Sequence, residues 1–169
     1  MKLNKGFTLI EAVVVITLIS ILSFGIGNFI ITSIKAWVLI SQRDAALNMG
    51  RMAMNRMVAE IRSINKASGI TTNISIANPT TECAFYNING NYIKFTQSGI
   101  DLLRFTGAAS SDVLATGLST PNGLIFTFLN SSATNDGVQA NISTVRIWLS
   151  LSSSTQQVTL ESSARIRNL

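Results

Sequence analysis

The chain has 169 residues, which is room for about one ordinary globular domain. Apolar residues make up 47% and charged residues only 12%, a balance typical of a protein with a membrane segment rather than of a purely soluble enzyme. The net charge of +5 is not concentrated in a tight run of Lys or Arg, and a single cysteine, Cys83, excludes a disulfide within the chain. Histidine is absent, so the commonest general base and metal ligand is missing.

The first predicted element is an apolar segment near the N-terminus. Lys2 and Lys5 precede it, and residues 12–34 are 23 positions without a charged side chain. About 20 apolar residues span a bilayer as a helix, and positive charge before such a segment holds that end in the cytoplasm. An ordinary secretory signal has small residues around a cleavage site after the apolar region, and residues 23–25 match that pattern poorly. The pattern therefore favours an anchor that stays in the chain.

Glu11 does not fit a plain anchor, because an unpaired carboxylate in hydrocarbon is costly. If the chain is cut after Gly6, Phe7 becomes a new N-terminus and its positive amine lies one helical turn from Glu11. The two charges can then neutralise one another, within a chain or between neighbouring chains, and any other axial register leaves a charge unpaired. This reasoning predicts that Glu11 is an assembly residue.

The stretch Lys5-Gly6-Phe7-Thr8-Leu9-Ile10-Glu11, followed by the apolar run, resembles the cleavage and methylation motif of type IV prepilins and type II secretion pseudopilins. The resemblance implies that a prepilin peptidase cuts between Gly6 and Phe7 and that Phe7 is N-methylated. It also implies that Glu11 pairs with the N-terminal amine of a neighbouring subunit during assembly.

The second predicted element continues the first without a breaker, because no proline occurs between Phe7 and about Lys66. Over residues 46–64 the apolar side chains recur with helical spacing and predict one stripe turned toward a core. The stripe consists of Ala46, Leu47, Gly50, Ala53, Met54, Met57, Val58, Ile61 and Ile64. The sequence thus predicts one helix of about 60 residues, roughly 90 Å long, with Gly69 as its stop. We expect it to loosen around residues 25–28, which include two glycines, when it packs in a filament.

Beyond Gly69 the apolar period changes to two, which indicates strands. The first signals are residues 74 and 76, followed by a hairpin of residues 83–88 and 91–95 around Asn89-Gly90. Further strands are predicted at residues 100–105, 124–129, 138–151 and 158–166, with a polar loop between Asn130 and Gly137. Short turns between successive strands predict an antiparallel sheet, one face of which packs on the helical stripe.

The predicted fold class is therefore α+β, and the resemblance implies the pilin fold. It divides into a leader peptide (1–6), a transmembrane or filament-core half-helix (7–34), an amphipathic half-helix (35–68) and a β-rich globular domain (69–169). The later features are also similar, loosely, to larger minor pilins and J-type pseudopilins. The similar stretches are Glu60-Ile61-Arg62, Tyr92-Ile93-Lys94-Phe95, Leu124-Ile125-Phe126-Thr127-Phe128 and Arg167-Asn168.

Little in the sequence indicates a reaction centre. Asn135-Asp136-Gly137 could contribute to a calcium site, but a lone Asp supplies too few oxygen ligands, so a turn is favoured. No phosphate loop, metal-ligand cluster or nucleophile–base pair is apparent, and Cys83 is expected to be an inert strand residue. We expect no catalytic residue, no cofactor and no metal, so the chain is not an enzyme but the substrate of one.

The leading hypothesis is a minor pilin or pseudopilin, made as a single-pass inner-membrane precursor with a cytoplasmic N-terminus and a periplasmic C-terminal domain. Its expected partners are prepilin peptidase, other pilins or pseudopilins, the inner membrane and the assembly platform. The alternatives are a pilus-associated ligand- or DNA-binding module and an unprocessed anchored domain. Nucleic acid is not the favoured partner, because Lys94, Arg104, Arg146, Arg165 and Arg167 are scattered in the sequence.

Overall fold

The computed structural model describes residues 8–65, 69–71, 79–107, 110–153 and 156–167. The chain divides into two compact units, one up to Ser41 and the other from Gln42 onward. The predicted α+β class is confirmed: a single long helix, α1 (Leu9–Ile61), is followed by seven strands in antiparallel sheets. The predicted start of the period-two pattern, at residues 74 and 76, lies outside the described residues.

The helix ends at Ile61, several residues before the predicted end near residue 66. Arg62 N–H still donates to the Val58 carbonyl, but the next two N–H groups bond three residues back, which tightens the last turn. Ile64 then forms a bridge with Asn87. The helix stops because its backbone begins to pair with the sheet, a partner that helical periodicity does not reveal.

Most of the predicted apolar stripe is buried, and Leu47 and Val58 are half-buried. The buried residues of α1 are Ala46, Gly50, Ala53, Met54, Met57 and Ile61. Ala53, Met54, Met57 and Ile61 join one core cluster with side chains from the strands of both sheets, among them Phe85, Phe95, Phe126 and Phe128. The amphipathic spacing thus marked the correct face of the helix.

The strands form two sheets rather than the single sheet predicted. The first contains β1 (Glu82–Tyr86), β2 (Tyr92–Ser98), β3 (Asp101–Thr106) and β4 (Ser110–Thr116); the second contains β5 (Leu124–Leu129), β6 (Thr144–Ser153) and β7 (Gln156–Arg165). Each sheet is a meander of neighbours in sequence, so local signals indicate the pairings but not the break between β4 and β5.

Most strands differ from their predicted bounds. β4 was missed, because Ser110-Ser111-Asp112 has little strand propensity and the strand lies at the sheet edge, beyond a register shift in β3. β6 begins at Thr144 rather than at Val138, because residues 139–141 form a turn of 3₁₀-helix. β7 is nearly as predicted, and β5 matches.

The Asn-Gly hairpin between β1 and β2 is confirmed. Gly90 has a φ of 77°, which side chains disfavour, and its N–H donates to the Asn87 carbonyl at 2.9 Å. The Asn87 side-chain oxygen also accepts from the N–H groups of Asn89, at 3.0 Å, and Asn91, at 2.9 Å.

Gln97 joins the first sheet to the segment that leads into the second. Its side-chain nitrogen donates to the carbonyls of Gly99 and Ser119, both at 2.9 Å. Its oxygen accepts from the N–H groups of Gly123, at 2.9 Å, and Leu124, at 3.0 Å. The Gln97 side chain therefore holds the start of β5 next to the end of β2.

Gly50 lies where α1 packs tightly against the second sheet. A Cβ atom placed there would lie 2.7 Å from a methyl carbon of Leu151 and 2.7 Å from one of Leu160. We expect Gly50→Val to destabilise the folded domain by about 1–3 kcal/mol, because a branched side chain overpacks this contact. Denaturant unfolding in non-ionic detergent measures the change. Gly25→Val, at a site with nothing within 4 Å, is the control; equal unfolding midpoints for both variants would contradict the packing account.

Candidate functional site

The candidate site begins at the first turn of α1. The Thr8 hydroxyl accepts a hydrogen bond from the Glu11 N–H at 3.4 Å, and the Ala12 N–H donates to the Thr8 carbonyl at 3.2 Å. A Thr followed three residues later by Glu is the spacing of a capping box, and a carboxylate in the first turn is favoured by the helix dipole. Thr8 therefore caps the helix through the Glu11 N–H, an interaction that the sequence analysis missed although the Thr-x-x-Glu spacing signals it.

The predicted cleavage pair, Gly6 and Phe7, lies outside the described residues, as do Lys2 and Lys5. Within the described part, Glu11 is exposed, so its carboxylate is accessible to an amine from its own chain or from another.

The helix that follows is suited to an apolar environment. From Thr8 to Ala45 every residue except Gly27 is exposed, although most are apolar. In the described residues α1 is the one helix that is long and apolar enough to cross a membrane. Its most apolar stretch of 18 residues has a mean hydropathy of 2.5. The helix is continuous through residues 25–28 in the single chain, so the predicted loosening in a filament stays a prediction.

Hydroxyl groups in this segment bond to the helix backbone. Thr17 donates to the carbonyl three residues earlier, and Ser20, Thr32 and Ser33 donate to carbonyls four residues earlier, at 2.8 to 2.9 Å. Because hydrocarbon offers no partner for a polar group, such bonds let hydroxyls lie within a membrane segment at little cost.

Comparison with known proteins identifies the class of this N-terminal site. The family model described as "Prokaryotic N-terminal methylation motif" matches residues 1–27. The motif is characteristic of type IV pilins and pseudopilins, which are substrates of prepilin peptidase, and it covers both the predicted cleavage pair and Glu11. No curated protein matches the chain.

The end of α1 carries a charge network that sequence reasoning did not find. Arg104 on β3 donates from Nε to both Glu60 carboxylate oxygens at 2.9 Å, and Arg56 donates to Glu60 at 3.0 Å. The Arg104 and Glu60 side chains are only 13% and 18% exposed. Arg104 also contacts Asp112 on β4, at 3.4 Å. This network ties the helix to two strands of the first sheet.

The remaining candidate residues differ in surroundings. Cys83 is fully buried in β1, and desolvation, with a smaller effect of the Glu82 carboxylate, raises the pKa of its thiol. A buried thiol of raised pKa is a poor nucleophile. In the described residues no three His, Cys, Asp or Glu side chains lie together as metal ligands would.

Asp136 organises the loop before β6. Its carboxylate accepts hydrogen bonds from the Asn141 side chain at 2.8 Å, the Val138 N–H at 2.9 Å and the Asn130 side chain at 3.2 Å. These donors stabilise the charged form and lower the pKa of Asp136. Both carboxylate oxygens are thus engaged by N–H donors, as expected for a loop-ordering residue.

Of the five basic residues considered in the sequence analysis, three are paired with carboxylates and two lie together. Lys94 pairs with Glu82 at 2.6 Å, Arg146 with Glu161 at 3.4 Å, and Arg104 with Glu60. Arg165 and Arg167, by contrast, line a common cavity with Arg62.

The Glu60–Arg104 pair should contribute measurably to stability. We expect a double-mutant cycle of Glu60→Gln and Arg104→Met to give a coupling of about 1–3 kcal/mol, because the pair is largely desolvated and charge-assisted. The same cycle on Arg146 and Glu161, which are 53% and 59% exposed, should give below about 1 kcal/mol. Denaturant unfolding provides both values; couplings of equal size would argue against a special role for Glu60.

The Asp136 loop should loosen in acid. The pKa of the Asp136 carboxyl in the folded chain lies below its unfolded value of about 3.9. The stability that the charged carboxylate contributes is therefore complete above the unfolded pKa and is lost as pH falls through the folded pKa. Carboxyl carbon NMR should give a titration midpoint below about 3.9. Asn141→Ala should raise the midpoint, whereas Gln139→Ala should not; an unshifted midpoint in the unaltered chain would refute this arrangement.

Proposed function

We propose that this chain is a minor pilin or pseudopilin, a structural subunit of a type IV pilus or a type II secretion pseudopilus. The observation that carries the proposal is the methylation motif over residues 1–27, placed at the start of an exposed apolar helix with Glu11 in its first turn. The chain acts by packing and is not itself an enzyme.

The proposed route begins in the inner membrane. Lys2 and Lys5 hold the N-terminus in the cytoplasm, and the C-terminal domain lies in the periplasm. Prepilin peptidase cleaves between Gly6 and Phe7, and Phe7 is N-methylated. The assembly platform then moves the helix from lipid into contact with the helices of other subunits, where its apolar side chains remain shielded from water.

Glu11 directs this transfer through charge. In the assembled helix bundle its carboxylate lies in an apolar environment, where the cationic amine of a neighbouring subunit's N-terminus satisfies it. Breaking a buried ion pair by removing one partner costs about 3–5 kcal/mol, so a subunit in the wrong register is strongly disfavoured.

The first experiment is intact-mass and N-terminal peptide analysis of cell envelopes and of sheared surface filaments. Methylated Phe7 in both fractions supports a pilus subunit, and the same terminus in the envelope alone supports a short periplasmic pseudopilus. An uncut Met1 terminus in a strain with working prepilin peptidase would reject the proposal and leave an anchored domain.

Three variants separate the assembly role of Glu11 from its capping role. Glu11→Gln can still take part in a capping box but carries no charge, Glu11→Ala lacks both properties, and Thr8→Ala removes only the cap. We expect all three to be cleaved, and both Glu11 variants to fall at least roughly tenfold in incorporation, because they lose an ion pair. Quantitative immunoblotting of assembled and envelope fractions measures this. Normal incorporation of Glu11→Gln would show that capping suffices.

A further inference from the structure

Three arginines line one cavity of about 500 Å³ at the end of the β region. Arg62 directly follows the last residue of α1, Arg165 is the last residue of β7, and Arg167 lies two positions further on. All three are exposed, whereas Ile166 between the last two is buried.

The backbone explains why these residues meet. The Ile166 N–H donates to the Ser143 carbonyl at 2.9 Å, and the Arg167 N–H donates to the Arg62 carbonyl at 3.5 Å. In an extended chain, alternate side chains point to the same side, so burial of Ile166 directs Arg165 and Arg167 outward together. The chain after β7 is thereby fixed beside the end of α1.

Charge distinguishes this cavity from other basic positions in the β region. Lys94, Arg104 and Arg146 each have a carboxylate partner. Within the part of the chain that the structure describes, Arg62, Arg165 and Arg167 form no ion pair. A cation just after a helix gains from the helix dipole, which accounts for Arg62 but not for the other two.

We infer that this cavity, hereafter the arginine cavity, binds a phosphate group with three free oxygens, either inorganic phosphate or a phosphate monoester. Each guanidinium can donate two parallel hydrogen bonds to an oxyanion. A carboxylate offers two oxygens and one charge, whereas a phosphate monoester near neutral pH offers three acceptor oxygens and nearly two charges. Three guanidinium groups match the phosphate better. The inference does not depend on whether the chain enters a filament.

The test is calorimetric titration of the full-length protein in non-ionic detergent with inorganic phosphate, glycerol 3-phosphate and dimethyl phosphate. We expect the first two to bind and the diester to bind roughly tenfold more weakly, because it has fewer free oxygens and one charge. Binding of glycerol 3-phosphate should also weaken below about pH 6, where the second proton returns to the monoester. If only inorganic phosphate binds, the ligand of the arginine cavity is the free ion. If inorganic phosphate and glycerol 3-phosphate both bind, the cavity also accepts phosphate monoesters.

Variants tie the binding to the arginine cavity. Arg62→Ala, Arg165→Ala and Arg167→Ala should each weaken binding roughly tenfold, since each removes charge-assisted hydrogen bonds. Arg165→Lys should recover only part of the loss, because an ammonium group lacks the planar fork. Arg51→Ala, which removes an exposed arginine from α1, is the matched control and should bind normally. Cooperative unfolding of each variant verifies that it folds.

Three results would overturn the inference. The first is no phosphate binding by the folded protein. The second is equal binding of dimethyl phosphate and glycerol 3-phosphate, which indicates non-specific attraction of anions. The third is a single-stranded oligonucleotide that binds more tightly than the monoester and loses affinity in the same three variants, which would assign the cavity to nucleic acid.

Discussion

Burial of the helical stripe from Ala46 to Ile61 is the interaction on which the β region depends. Sheets of three or four strands need a covered apolar face to be stable, and the two sheets here contribute to one core that includes this stripe. Each fully buried Leu, Ile, Phe or Met contributes about 1.5–3 kcal/mol through removal from water. The absence of a side chain at Gly50 allows α1 to lie directly against β6 and β7.

The N-terminal part of the same helix meets a different requirement. Its apolar side chains are exposed, so they require lipid or the helices of other subunits as their surroundings. Its backbone bonds are made within the helix, and the hydroxyls of Thr17, Ser20, Thr32 and Ser33 bond to carbonyls, which lowers the cost of placing it in an apolar environment. Glu11 is the one carboxylate among the described residues of this part, and it lies exposed in the first turn of the helix.

Charges in the β region are used in two ways. Lys94, Arg104 and Arg146 are paired with carboxylates on neighbouring strands or on α1, and the least exposed of these pairs, Glu60 with Arg104, joins the helix to the first sheet. Within the described residues, the three arginines of the arginine cavity have no carboxylate partner. In a chain with only 12% charged residues, this unequal distribution is a more specific feature than the net charge of +5.

The sequence by itself determined the features that depend on local spacing: the motif at residues 5–11, the apolar segment, the buried face of α1, the Asn-Gly hairpin and β5. A helix face or a tight turn is set by residues within a few positions of one another, so its signal is contiguous. Tertiary structure alone decided the rest. Pairing of Ile64 with Asn87 and of Asn65 with Tyr86 ended the helix at Ile61. β4 forms by pairing with β3 at the sheet edge, although its residues have little strand propensity. Arg62 meets Arg165 and Arg167 only because the chain after β7 returns to the end of α1, and no local pattern encodes a contact between residues so far apart in sequence.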